Sequence, residues 1–235
     1  MLSNGAADMV LARGTAQFAR HVRDRTIVYL GTTSPEYSAV LERDIVAAGG
    51  RYVEAPVSGS RGPATHANLV TMIAGTRDAI EQISPLLKMF SKDVLYCGEV
   101  PCATQMKLAV NLCMIGLVTS LAESVAFASR HGLDLDTFSQ ILGTGPMSSE
   151  ILRAKTAKLI ARDHGTEACV DVIADNLHLI NHAAAEVNAP SRIVAACLSW
   201  FEQAQAAGLG KADLTSICEL MLARDGANSA SDLNG

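Results

Sequence analysis

From Val100 to Ala122 the chain carries one formal charge, Lys107, and a side-chain amide four residues later, Asn111, among Val, Leu, Met, Ile and Ala. Apolar residues fall on every side of the helical wheel in this stretch, which predicts a buried helix rather than a surface one. A lysine in such a helix costs several kcal/mol, on the order of the penalty for a desolvated ion, unless something compensates. A spacing of four places Lys107 and Asn111 on one face, with amine and amide aimed at the same volume. Two readings are open at this point. The pair faces a polar ligand group in an apolar pocket, or the lysine snorkels from the helix start while Asn111 bonds a neighbouring backbone.

The rest of the 235 residues permits one large or two small domains with a proper core. Apolar residues make up 49% and charged residues 18%, the composition of a compact globular chain. A net charge of −5, with no Lys/Arg cluster interleaved with aromatics, argues against a nucleic-acid partner. The uncharged run Leu108 to Ala122 is shorter than the roughly 20 residues of a membrane span. It also holds Asn111, Thr119 and Ser120, so no membrane partner is expected. The first residues lack the basic and apolar regions of a signal peptide. Six scattered cysteines with apolar neighbours and no C-x-x-C pair read as core residues of a reducing compartment. A cytoplasmic protein is expected.

The first hundred residues alternate strand and helix signals. Strands are expected at Thr26–Leu30, Arg51–Glu54, Leu69–Ala74 and Val94–Cys97. Ser34-Pro35-Glu36 supplies an N-cap, an N1 proline and a first-turn acid for a helix to Ala48, which Gly49-Gly50 ends. Thr76 opens another helix through Met89. This βαβ rhythm predicts a parallel sheet flanked by helices. Beyond Thr104 only helical patterns remain, in segments 104–130, 135–142, 150–161, 170–187, 192–206 and 212–222. The expected fold is therefore α/β over residues 1–101 followed by an all-helical domain over 102–235.

The loop Ala55-Pro56-Val57-Ser58-Gly59-Ser60-Arg61-Gly62-Pro63-Ala64 follows a strand and opens a helix. Free N–H groups at such a start favour a carboxylate or phosphate, although an ordinary strand-to-helix connection has the same signature. Gly143-Thr-Gly145-Pro-Met-Ser148 imitates a dinucleotide fingerprint but follows a helix, and so fails the required context. Asp175, His178 and His182 lie on one helix face without a third strong ligand. No metal site is assigned to them, because a solvated polar face is far commoner.

Two motifs then define a resemblance covering Met1 to about Arg224. Glu54-Ala-Pro-Val-Ser-Gly59, with Ala64 and Leu69, is similar to D-x-P-V-S-G-x-x-x-x-A-x-x-G-x-L, and Gly98-Glu-Val followed by Lys107-x-x-x-Asn111 is similar to G-x-x-G-x-G-x-x-x-K-x-x-x-N. Thr32 and Pro35 match an S-T-x-S-P turn, and Met1-Leu2-Ser3-Asn4 resembles the loop after a fourth Rossmann strand. Together these resemble the β-hydroxyacid dehydrogenase family of 3-hydroxyisobutyrate dehydrogenase and tartronate semialdehyde reductase, which is related to 6-phosphogluconate dehydrogenase.

The resemblance implies the C-terminal half of a Rossmann-type parallel sheet followed by a helical domain. It implies hydride exchange between NAD or NADP and a small 3-hydroxy acid or semialdehyde acid, in a homodimer or homotetramer. Lys107 would be the general acid–base and Asn111 would orient it, while Ser58, Gly59 and Ser60 would hold the substrate carboxylate. Leu2, Ser3, Asn4, Thr32 and Asp175 would lie at the cofactor. Pro101, Ala103 and Ala67 stand where the family has glycines, and Asp175-Asn176 replaces a Lys-Asp pair, which reverses the local field. The family's opening strand–G-x-G-x-x-G–helix has no counterpart in this sequence, so an N-terminally shortened form is expected. A second reading is a catalytically silent relative that serves as an interaction or oligomerisation module.

Overall fold

The computed structural model describes residues 4–163 and 165–223. In chain order the elements are α1 (Asn4–Val10), α2 (Phe18–Val22), β1 (Thr26–Tyr29), α3 (Pro35–Ala47), β2 (Arg51–Glu54) and β3 (Val57–Ser58). Next come α4 (Arg61–Thr65), β4 (Leu69–Gly75), α5 (Arg77–Leu87), β5 (Ser91–Gly98) and α6 (Cys102–Arg130). The remainder is helical: α7 (Leu135–Thr144), α8 (Glu150–Ile160), α9 (Val170–Glu186), α10 (Arg192–Ala206), a 3-10 turn at Leu214–Ser216 and α11 (Ile217–Leu222). Leu2 and Ser3 lie outside the described residues.

The expected α/β architecture followed by helices is present, with one difference in strand direction. β1 pairs with β2, and β4 with β5, in parallel, each pair joined by a crossover helix, α3 or α5. Between the pairs the sheet reverses. Val53 and Glu54 of β2 oppose Gly75 and Ala74 of β4, and Val57 and Ser58 of β3 oppose Thr71 and Val70, antiparallel and in unbroken register. β2 and β3 are thus one strand interrupted at Ala55-Pro56, and the Met72 N–H donates to the Pro56 carbonyl across the gap at 2.9 Å. The stretch returning from β3 to β4 holds only the five-residue α4. It lacks the full crossover helix that a parallel return needs, so the chain doubles back as a hairpin.

Side-chain alternation along the sheet decides what each face buries. Tyr52 packs with Leu41 and Ile45 of α3. Its neighbour Val53 points the other way, into Ile73 and the Ala79, Ile83 and Leu87 face of α5. Met72 and Ala74 of β4 meet Ala103, on the first turn of α6. Glu54, two residues after Tyr52 and opposite Ala74, shares the face that α3 and the start of α6 cover. α3 starts as its sequence dictates, with Ser34 accepting from the Tyr37 N–H and Pro35 in the first turn.

The described chain divides into two compact units. One holds Met1–Cys113 with Asn176–Ser191, and the other Met114–Asp175 with Arg192 onward, so α6 contributes its first turns to the first unit. By length and apolar content alone α6 would suffice to cross a membrane, which the broken run in the sequence did not suggest. It nonetheless buries Leu108, Ile115, Val118, Ala122 and Val125 inside the protein. In the second unit the fully buried Asp213 caps the Leu214–Ser216 turn and accepts from the Glu167 N–H at 2.8 Å. Lys155, also buried, bonds Glu167 at 2.9 Å and reaches Asp213 at 3.5 Å. Each buried charge there has a partner, as a low-dielectric interior requires.

Candidate active site

Lys107 and Asn111 stand one turn apart on α6, within the first compact unit. Lys107 is half-buried and Asn111 is buried. No hydrogen bond or ion pair is recorded for the Lys107 amine among the described residues. Burial brings its pKa down to about 8, because a low-dielectric surround disfavours the ammonium and nothing opposite in charge restores it. The result is an amine that gains and loses a proton near neutrality.

The first turn of α6 is fixed by a residue that the sequence marked only as part of a motif. The Glu54 carboxylate is fully buried and accepts from the Ala103 N–H at 3.0 Å and the Thr104 N–H at 3.1 Å. Its other oxygen accepts from the Thr104 hydroxyl at 2.5 Å and from Ser38 of α3. Ser38 in turn meets the Tyr52 hydroxyl at 2.8 Å. A buried anion at a helix N-terminus, with four donors, is the arrangement that makes such a charge tolerable. The same strand continues through Ala55-Pro56 to Ser58, so Glu54 ties the Ser58 loop to the Lys107 helix. The only hint in the sequence was an acid at a strand end, directly before the Pro-Val-Ser-Gly run.

Ser58 ends β3 and is half-buried, as is Ser60, while Gly59 between them is exposed. Gly59 has φ +125°, and a Cβ there would sit 2.7 Å from Leu69 Cδ2 and 3.0 Å from Pro63 Cβ. Both backbone and space therefore demand glycine. Gly59→Ala is expected to cost about 1–3 kcal/mol and to lower the thermal midpoint. Gly62→Ala, which meets nothing within 4 Å, should leave the midpoint almost unchanged, and equal effects at the two positions would refute this account of the loop. The expected anion site at the following helix start is weak in structural terms. α4 is barely more than one turn long, and the Ser60 side chain makes no capping bond, so few aligned peptide dipoles stand behind its N–H groups.

Asn4 and the loop carrying Thr32 are brought together. Asn4 Oδ1 accepts from the Tyr29 hydroxyl at 2.7 Å and from the Thr33 hydroxyl at 2.8 Å. Thr32 is half-buried beside the buried Thr33. The Tyr37 hydroxyl adds bonds to the Asn4 carbonyl at 3.2 Å and to Asp8 at 2.8 Å. Tyr29 and Thr33, which the sequence did not single out, therefore set the orientation of the Asn4 carboxamide. Asp175 is exposed on α9 and belongs to the second compact unit, while its neighbour Asn176 is buried and belongs to the first.

Residues 102–221 match the family model described as the NAD-binding domain of NADP-dependent 3-hydroxyisobutyrate dehydrogenase. Residues 1–98 match the NAD-binding domain of 6-phosphogluconate dehydrogenase. Glyoxylate/succinic semialdehyde reductase 1 of Arabidopsis thaliana is 30% identical over 81% of this chain and 66% of its own length. The 2-(hydroxymethyl)glutarate dehydrogenase of Eubacterium barkeri is 28% identical over 83% of this chain and 65% of its own length. The chain thus spans slightly less than two thirds of either relative. Among solved structures, 3-hydroxyisobutyrate dehydrogenase from Salmonella typhimurium superposes with a TM-score of 0.83 at 21% identity, over 94% of this chain and 77% of that one, a likeness of fold. The chain belongs to the NADP-dependent 3-hydroxyisobutyrate dehydrogenase family.

Proposed function

We propose that the chain serves an NAD(P)-dependent oxidoreductase acting on a small 3-hydroxy acid or semialdehyde acid, with Lys107 as the general acid–base. The observation that carries this reading is an amine on a largely apolar helix, titrating near 8, with Asn111 one turn further on. A general acid–base works best when its pKa lies near the working pH. In the reducing direction the Lys107 ammonium would hand its proton to the carbonyl oxygen, and in the oxidising direction the neutral amine would take it from the hydroxyl. Asn111 would hold the substrate oxygen or the amine in line. Ser58 and Ser60, with the Gly59 N–H, would hold the substrate carboxylate.

The cofactor supplies the hydride. Of the residues in this chain, Asn4 and Thr32 fit its nicotinamide end, because the Asn4 carboxamide is already oriented by Tyr29 and Thr33. The 235 residues contain no strand–G-x-G-x-x-G–helix for the pyrophosphate. The Gly143/Gly145 sequence closes helix α7 and offers no such cradle.

The test is steady-state turnover of short hydroxy acids and semialdehydes with NADH and NADPH, over a range of pH. Reduction should fall as pH rises through about 8 and oxidation should rise over the same interval. Turnover without any titration near that value would remove Lys107 from the mechanism. Absence of turnover with every substrate would favour the silent, interaction-module reading.

A further inference from the structure

A second cluster of chemistry lies away from Lys107, where the end of α9 meets the start of α3. His182 and Glu186 stand one turn apart at the end of α9, and Glu36 projects from the first turn of α3. His182 Nε2 is 3.7 Å from Glu186 Oε1. One ligand atom from each of the three residues lies within 4.8 Å of the other two. All three belong to the same compact unit, with Glu36 half-buried and the other two exposed.

This is more than a solvated acidic face. The donors come from two helices far apart in sequence, and one of them is an imidazole. The two carboxylates stand against each other, with an oxygen of each within 4.8 Å of the other. Among the described residues neither carboxylate meets a lysine or arginine, so His182 is the only basic group in the set. Two carboxylates and one nitrogen donor thus face a common gap, an arrangement that a cation stabilises.

We propose that Glu36, His182 and Glu186 bind one divalent transition-metal ion of the zinc type, through His182 Nε2 and one oxygen of each carboxylate, with water completing the coordination. The charge balances: two carboxylates and a neutral imidazole surround a doubly charged ion. Tetrahedral coordination with bonds of about 2.0–2.1 Å puts donors about 3.3 Å apart. The separations here, all within 4.8 Å, are wider than that, and binding would draw the three donors together by side-chain rotation. The nitrogen donor selects zinc, cobalt or nickel over magnesium and calcium, which prefer all-oxygen shells. The bound ion pins the end of α9 to the first turn of α3.

The experiment is titration of the full, metal-free chain with Co2+ and Zn2+, followed by calorimetry and visible absorption. One equivalent should bind, with cobalt bands of nitrogen and oxygen ligation and no thiolate-to-cobalt charge-transfer band. That band separates the site from the six free cysteines. His182→Ala and Glu186→Gln, both at exposed positions, and Glu36→Gln should each weaken binding by about tenfold or more. Zn2+ should raise the thermal midpoint of the parent chain but not of His182→Ala, and Mg2+ at equal concentration should raise neither. Circular dichroism without metal shows which variants fold, and any two that do suffice. Binding weaker than roughly 100 µM, a thiolate band, or an affinity unchanged in His182→Ala and Glu186→Gln would each overturn the proposal.

Discussion

Lys107→Met is expected to abolish proton transfer while making the folded protein more stable at pH 7. The two effects share one cause. On folding, the Lys107 amine leaves water for an apolar helix without gaining an opposite charge, and its pKa drops to about 8 from an ordinary value of about 10.4. Below about 8 the folded and unfolded chains both carry the proton, and the folded state bears the whole cost of burying it. Between about 8 and the ordinary value the unfolded chain keeps a proton that the folded chain has released, so stability climbs with pH. Methionine has similar length and no charge, and removes the cost outright. Because the lysine keeps some solvent contact, the gain at pH 7 is set at about 1 kcal/mol, or about 2–4 °C in the midpoint for a chain of this size. It should shrink to nothing by about pH 10–11. Turnover, where the parent has it, should fall roughly 10²–10⁴-fold. Melting curves at neutral and alkaline pH check the first half without any substrate. A Lys107→Met protein that melts lower than the parent at pH 7 would mean that the ammonium makes a stabilising contact, and the acid–base role would lose its basis.

The alternation of strands and helices was legible because local chemistry decided it. Thr26–Tyr29 is a β-branched run, Ser34-Pro35 caps α3, and Gly49-Gly50 stops the chain after it. Lys107 and Asn111 were legible for the opposite reason, since polar residues in an apolar helix violate the local pattern. What depends on distant partners was not readable. The reversal between β2 and β4 follows from a break at Ala55-Pro56 and a return too short for a crossover helix, whereas the strand pattern alone suggested parallel pairing throughout. The sequence grouped His182 with Asp175 and His178 along one helix. In the structure His182 works with Glu186, one turn further along, and with Glu36 of another helix. The i,i+4 half of that set could have been read from the helical wheel, but the half from α3 required the fold. Likewise Glu54 shows nothing locally, since its acceptor role belongs to Ser38, Ala103 and Thr104.

Glu54→Ala is expected to be the most damaging single substitution for stability in the first unit. It would orphan the Ala103 and Thr104 N–H groups and the Thr104 hydroxyl in a place closed to water, take one of two partners from Ser38, and leave a cavity where the side chain stood. Losing one partner of a buried, charge-assisted network costs about 3–5 kcal/mol, on the order of 10 °C in the midpoint for a chain of this size. Glu54→Gln separates charge from shape. Its oxygen can face the two N–H groups while its NH2 donates to the Thr104 and Ser38 hydroxyls, which can rotate to accept. Only the attraction between anion and helix N-terminus is then lost, about 1–2 kcal/mol. The order parent, then Gln, then Ala in urea unfolding is the expected result, and an alanine variant within about 1 kcal/mol of the parent would show that water or a rearranged helix start replaces the carboxylate. Because the strand bearing Glu54 runs on to Ser58, and the helix it caps bears Lys107, the glutamine variant should also place those two groups less firmly. Its activity should therefore fall further than its fraction folded, a gap that a purely structural cap elsewhere in the protein would not produce.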